Sequence, residues 1–211
     1  AGTAINIVMT VCAAYPLSRK DLPGGGFFMM LFTFTMVFSG GMITTYMLIS
    51  DLGMLNTVWA MIIPGAISVY NMIITRTFFK NNIPQELWEA AQVDGCSDLY
   101  FFWKMVLPLS KSIIAVITLY YAISHWNAYF NAFLYLTNKK LFPLQIILRE
   151  ILVVNQVNAD MITDEAMEAK EGLSELLKYS LIVVSVIPVM IIYPFVQKHF
   201  VKGVMIGSVK G

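Results

Sequence analysis

Apolar and polar stretches alternate along the chain, with apolar runs at residues 1–17, 27–50, 57–79, 109–136 and 176–195. The runs after the first reach or exceed the roughly 20 residues that a helix needs to cross a hydrocarbon core, so the pattern predicts an all-α bundle of membrane-spanning helices. The first run is shorter and reads as the end of a span. It opens at Ala1 without an initiator methionine or a basic leader, so the chain is expected to lack one earlier span and part of this one. Gly40-Gly41, inside the second run, reads as a point of close helix packing. Pro64-Gly65, inside the third, reads either as a tolerated kink or as a bend that helps a pathway open and close.

The most structured polar stretch is residues 83–108, IPQELWEAAQVDGCSDLYFFWKMVLP. Pro84 suits a first helical position, and the residues from Gln85 to Ala91 form or tolerate helix. Gly95 stops the helix, Ser97 caps a second one, and Asp98 places an acid in its first turn. Proline disfavours helical geometry in the residue before it, so Leu107 is expected to break the second helix from the run beyond. Leu87, Ala90 and Ala91 share one small apolar side at i, i+3 and i+4, while Glu86 and Glu89 lie three apart on another. Such a hairpin could seat the small side in a partner's groove and set its acids against basic groups at the rim.

These residues carry a resemblance. Glu89-Ala90-Ala91, three residues, Gly95, nine residues, Met105, one residue and Leu107-Pro108 resembles the EAA motif of binding-protein-dependent ABC importer permeases, with Met105 where isoleucine is usual. The flanking runs and the tail GVMIGSVKG are similar to the carbohydrate-uptake, MalG-like branch, so the resemblance covers nearly the whole chain. It implies an ABC importer type I permease fold in which the hairpin is the coupling helix gripped by separate ATPase subunits. It also implies a second permease subunit, an extracytoplasmic solute-binding protein and a carbohydrate cargo. Glu89 would then act at the cleft rim, Ala90 and Ala91 by close fit to the partner, Gly95 by making the turn, and Leu107-Pro108 by passing movement into the next helix.

Composition and charge narrow the picture. Of 211 residues 58% are hydrophobic and 13% charged, about half the charged share of soluble domains, which makes the chain an integral membrane protein, and the resemblance implies the plasma or inner membrane. A net charge of +1, with no basic cluster interleaved with aromatics, excludes a nucleic-acid binder. Cys12 and Cys96 lie too far apart in sequence to suggest a disulfide framework or a metal pair, and no cofactor is expected. If the spans alternate sides, the 18–26 turn, the hairpin and the tail (198–211) share a face rich in basic residues, Arg19, Lys20, Lys80, Lys104 and Lys111 among them. The 51–56 loop and the connection 137–173 share the other. Basic residues mark the cytoplasmic face, which makes the hairpin and tail cytoplasmic and the 137–173 connection extracytoplasmic within a single permease domain, residues 1–211. The tail reads equally as an extension near the ATPase and as a solvated terminus.

No phosphate-binding G-x-x-x-x-G-K-[ST] loop is present, so energy must come from another chain and no enzymatic activity is expected of this one. The spans hold almost no ionisable group except His125, where a hydrogen-bonded neutral imidazole is favoured over a proton relay. The run 109–136 is unusually polar and aromatic. Tyr121, His125, Asn127 and Tyr129 are candidates for lining a sugar route, because rings stack on sugar C–H faces and side-chain groups satisfy hydroxyls. Bundle packing or interfacial anchoring is the competing reading for each. The alternative function is an ATP-independent secondary transporter or channel subunit, which an intramembrane acid would favour.

Overall fold

The computed structural model describes residues 1–159, 176, 179–191 and 193–194. The acidic stretch at 160–171, the end of the 137–173 connection and the 198–211 tail lie outside the described residues. Among those described the secondary structure is wholly helical. The helices are α1 (Gly2–Ser18), α2 (Gly25–Val37), α3 (Gly41–Asp51), α4 (Val58–Ile62), α5 (Val69–Asn82) and α6 (Gln85–Val93). There follow α7 (Asp98–Phe101), a π-helical turn (Phe102–Val106), α8 (Leu107–Leu109), α9 (Lys111–Trp126), α10 (Tyr129–Tyr135), a 3₁₀ turn (Lys139–Leu141), α11 (Leu144–Ala159) and α12 (Tyr179–Ile191).

The apolar runs are helical, but they are broken where straight spans are expected. No single described helix is long and apolar enough to cross a membrane; two bent pairs have the length and composition together, α2 with α3 at 111° and α7–α8 with α9 at 78°. The first break falls beside the two glycines. Gly41 sits at φ +81°, a conformation costly for any residue with a Cβ, and no described residue lies within 4 Å of where its Cβ would be. At Gly40 the only such neighbour is Thr44 of the helix that follows. Gly40-Gly41 therefore stands at a corner, and among the described residues no other helix packs closely against it.

Pro64 interrupts the third run completely, leaving residues 63–68 non-helical between α4 and α5. Unwound backbone at membrane depth must find partners inside the protein. The Asn6 amide of α1 donates to the carbonyls of Gly65 (2.7 Å) and Ala66 (3.1 Å), and the Ser68 N–H donates to the Tyr121 hydroxyl of α9 (3.0 Å). The same hydroxyl meets Thr10 Oγ1 at 2.6 Å. Asn6 and Thr10 are almost fully buried, so a polar seam joins α1 and α9 to the unwound segment.

The break expected at Leu107 falls three residues later. Leu107 is helical at φ −62°, ψ −46°, and the chain turns at Ser110, φ −101°, ψ 16°. The π turn ends two residues before Pro108. Its i→i+5 pairing, which includes the Leu107 N–H on the Phe102 carbonyl, shifts the ladder where proline offers no N–H and crowds the preceding turn.

The main core joins α1 (Val11, Ala14, Leu17), α5 (Met72, Phe79) and α9 (Ile113, Ile117) to the hairpin side chains Trp88, Ala91, Phe101 and Phe102. Arg76 Nε of α5 donates to the Leu17 carbonyl at 2.7 Å and so occupies an orphan acceptor at the end of α1. At the opposite end smaller clusters form around Ile49, Ala60 and Tyr135, and around Ala132, Leu136 and Ile146. There Asn56, at φ +59°, accepts through Oδ1 from the N–H groups of Thr137 (3.1 Å) and Asn138 (2.8 Å), tying the 51–56 loop to the start of the 137–173 connection.

Candidate functional site

Pro84 is not the first helical residue of the hairpin; with ψ 145° it stands one residue before α6, as its cap. At the other end of α6, Cys96 N–H donates to the Ala91 carbonyl and Gly95 N–H to that of Gln92, both at 2.9 Å, with Gly95 at φ +72°. This is a Schellman closure, and it requires the left-handed residue that glycine provides. Ser97 Oγ then accepts from Tyr100 N–H at 3.4 Å and starts α7.

The division of α6 between inside and outside differs from the expected one. Trp88 turns inward, edge-on to Phe101 at 5.0 Å, and takes Ala91 and part of Leu87 with it into the core. Ala91 is therefore not offered to a partner. The outward stripe is Glu86, Glu89, Ala90 and Val93, with Gln85 Nε2 donating to Glu89 Oε1 at 3.0 Å. Beyond the turn Leu99 and Tyr100 are exposed as well, and Val93, 88% exposed, is the most open apolar side chain described. Leu107 is half-buried and Pro108 exposed.

Arg19, from the α1–α2 turn, anchors the hairpin. Its guanidinium lies 3.9 Å from the Trp88 ring centroid, grips Asp21 with Nε (2.8 Å) and Nη2 (2.7 Å), and donates from Nη1 to the Tyr15 hydroxyl (3.2 Å). The hydrogen bonds from Arg19 hold the Asp21 carboxyl below the usual carboxylate range, and the bond to Asp21 raises the already high value of Arg19. The 18–26 turn and the hairpin thus lie at the same end. Between them and the end of α5 opens a cavity of about 500 Å³ lined by Arg19, Lys20, Lys80, Gln85, Glu86 and Glu89.

The four candidate route residues do not form one lining. Tyr121 is buried, with its hydroxyl bonded to Thr10 and Ser68, so it fastens helices together. His125 Nε2 lies 2.7 Å from Asn6 Oδ1. Because the Asn6 amide nitrogen faces two carbonyls, its oxygen is the acceptor, which assigns the proton to Nε2. The arrangement matches the hydrogen-bonded imidazole favoured from sequence. Asn127 closes α9 and is exposed; Tyr129 opens α10, is 41% exposed, and has the Arg149 guanidinium of α11 5.7 Å from its ring centroid. Asn6 and Thr10 were legible only as polar positions in an apolar run, and nothing local marked Arg19 or Arg149 as partners of aromatic rings.

Broken helices tied by a buried polar seam, with a capped hairpin at one end, make up the fold, and its likeness to a solved structure identifies it as that of an ABC importer type I permease. Over 94% of this chain and 70% of the other, the fold matches a chain of a bacterial ABC transporter involved in the import of the acidic polysaccharide alginate, with a TM-score of 0.81 at 35% identity. The chain belongs to the family of binding-protein-dependent transport system inner membrane components, which residues 4–206 match. Among its relatives is the polygalacturonan/rhamnogalacturonan transport system permease protein YtcP of Bacillus subtilis (strain 168), 46% identical over all of this chain and 73% of its own length. Protein LplC of the same organism is 42% identical over all of this chain and 70% of its own.

Proposed function

We propose that the chain is the membrane-spanning permease subunit of an ATP-driven importer of carbohydrate, most simply an oligosaccharide. It would work with a second permease, two ATPase subunits and an extracytoplasmic binding protein. The hairpin faces the cytoplasm and carries the motion of the ATPase into the bundle; no nucleotide is hydrolysed on this chain. The observation that carries the reading is the hairpin itself. Gly95 closes it, Trp88 and Ala91 root it in the core, and it presents Glu86, Glu89, Ala90 and Val93 on one outward stripe with Leu99 and Tyr100 beyond the turn. An acidic and apolar ridge of this kind fits a cleft with a basic rim. In the proposed cycle, closure of the ATPase pair shifts the hairpin, and the α7–α8 arm passes the shift through the Ser110 corner into α9, tilting the bundle between inward- and outward-open states. The carbohydrate cargo rests on the relatives named for polygalacturonan and rhamnogalacturonan and for alginate.

The test is co-expression with the partner permease and ATPase followed by affinity purification. Wild type should retain the ATPase, whereas Gly95→Asp and Glu89→Lys should lose it while remaining inserted in the membrane. Glu89 is exposed, so its variant does not depend on hairpin folding. Equal retention by both variants, or none by wild type, would overturn the coupling assignment.

A further inference from the structure

At the end of the bundle away from the hairpin, a cation is held over aromatic rings. The guanidinium of Arg149, on α11, lies 5.7 Å from the ring centroid of Tyr129 and 5.2 Å from that of Phe133, both on α10. The two helices are fixed to each other through Ala132, Leu136 and Ile146, so the pair of rings and the cation do not depend on a floppy loop. Tyr129 and Phe133 are 41% and 58% exposed, and Arg149 is exposed with them.

A guanidinium over a ring face is oriented by the ring quadrupole without spending any of its N–H donors. Among the described residues nothing else takes the planar fork of Arg149, which can hold a carboxylate bidentately. The neighbouring rings offer what the C–H face of a pyranose stacks on. Lys139 and Lys140, on the 3₁₀ turn that leads into α11, add positive charge at the same end. A neutral sugar would use only the rings. A sugar that also carries a carboxylate would use the rings and the fork together.

We propose that Arg149, Tyr129 and Phe133 form an extracytoplasmic binding station for the carboxylate-bearing sugar units of an acidic oligosaccharide. The proposal rests on the carbohydrate-importer reading and narrows its cargo to uronate-containing chains. Arg149 is the specificity-determining residue: its charge selects the acid, and its fork sets the angle at which the sugar ring meets Tyr129.

The test uses the complete importer with its binding protein in proteoliposomes. Uptake of a galacturonate trisaccharide and ATPase rate are measured for wild type, Arg149→Gln, Arg149→Lys and the control Glu150→Gln, one residue along α11. We expect Arg149→Gln to raise the KM for uptake about tenfold, as loss of a charge-assisted bidentate contact at an exposed site implies, with the ATPase rate kept. Arg149→Lys should be intermediate, and Glu150→Gln should match wild type. The station is overturned if Arg149→Gln imports the trisaccharide as well as wild type does. It is equally overturned if uptake and ATPase fall together in the Gln and Lys variants alike, which would make Arg149 a structural residue. A wild type that imports neutral oligosaccharides but not the galacturonate overturns the acidic ligand alone, and one that imports no sugar overturns the carbohydrate reading beneath it.

Discussion

Asn6 shows what one side chain must do when backbone is unwound inside a membrane. It serves two carbonyls and one imidazole, using both ends of its amide. Tyr121 does similar work for the Ser68 N–H and Thr10. Interhelical hydrogen bonds in membrane proteins contribute about 0.6 kcal/mol on average and up to about 1.7 each, so Tyr121→Phe should cost roughly 1–3 kcal/mol, read as a lower unfolding midpoint in detergent. An unchanged midpoint would mean the hydroxyl is not the tie described above. Ser110 offers the opposite case. Its buried hydroxyl has no hydrogen-bond partner among the described residues, so Ser110→Ala should leave stability unchanged or raise it by up to about 1 kcal/mol in the same measurement. The hydrogen bond favoured for His125 from sequence is present, to Asn6. For Tyr121 the sequence left lining and packing open, because a tyrosine on a polar helix looks the same whether its hydroxyl faces a route or a backbone amide 53 positions away.

Among the elements, the hairpin was the most legible, since Gly95 and Ser97 are local signals that tertiary context did not override. Its facing was less so: Leu87, Ala90 and Ala91 look equivalent by spacing, and only the bulk of Trp88 decided which side went into the core. The helix breaks were least legible. Phe38–Gly41 lies inside a run that stays apolar on both sides, and Ser110 stands between Pro108 and Lys111 at the start of another, where nothing local says how far the chain bends. Arg19 was read as positive charge alone, although it joins the hairpin to the α1–α2 turn through Trp88. Removing it with Arg19→Ala should free the hairpin, lowering transport and raising proteolytic cleavage near Gly95 in membrane vesicles, with a cost of about 1–2 kcal/mol for a partly desolvated cation–π contact. Arg19→Lys should recover only part, since a point charge cannot grip Asp21 with a fork. The Asp21 carboxyl is depressed in the folded state, so its share of the anchor is fully present above the ordinary carboxylate range and is lost only as pH falls through the depressed value. Hairpin protection should therefore be flat from neutral pH down to about pH 5.

On the scale of the whole molecule, the two ends are chemically distinct. One holds the hairpin, the α1–α2 turn and their basic residues; the other holds the Asn56 knot and the Arg149 rings. That separation was readable from alternating spans and charge, although the bundle uses bent pairs where the sequence promised straight crossings. In a Cys12→Ser background, an impermeant maleimide should label Cys96 from one side of the membrane and Asn138→Cys from the other. Labelling of both from one side would refute the arrangement. The corner at Ser110 has a further consequence. With α7–α8 as one arm of about 18 Å and α9 as another of about 24 Å, the proposed coupling would work the pair as a bell crank pivoting at that serine. If the corner stays rigid, a push at Asp98 reappears at Trp126 turned through the corner and enlarged by about a third, a gear ratio set by where the chain bends.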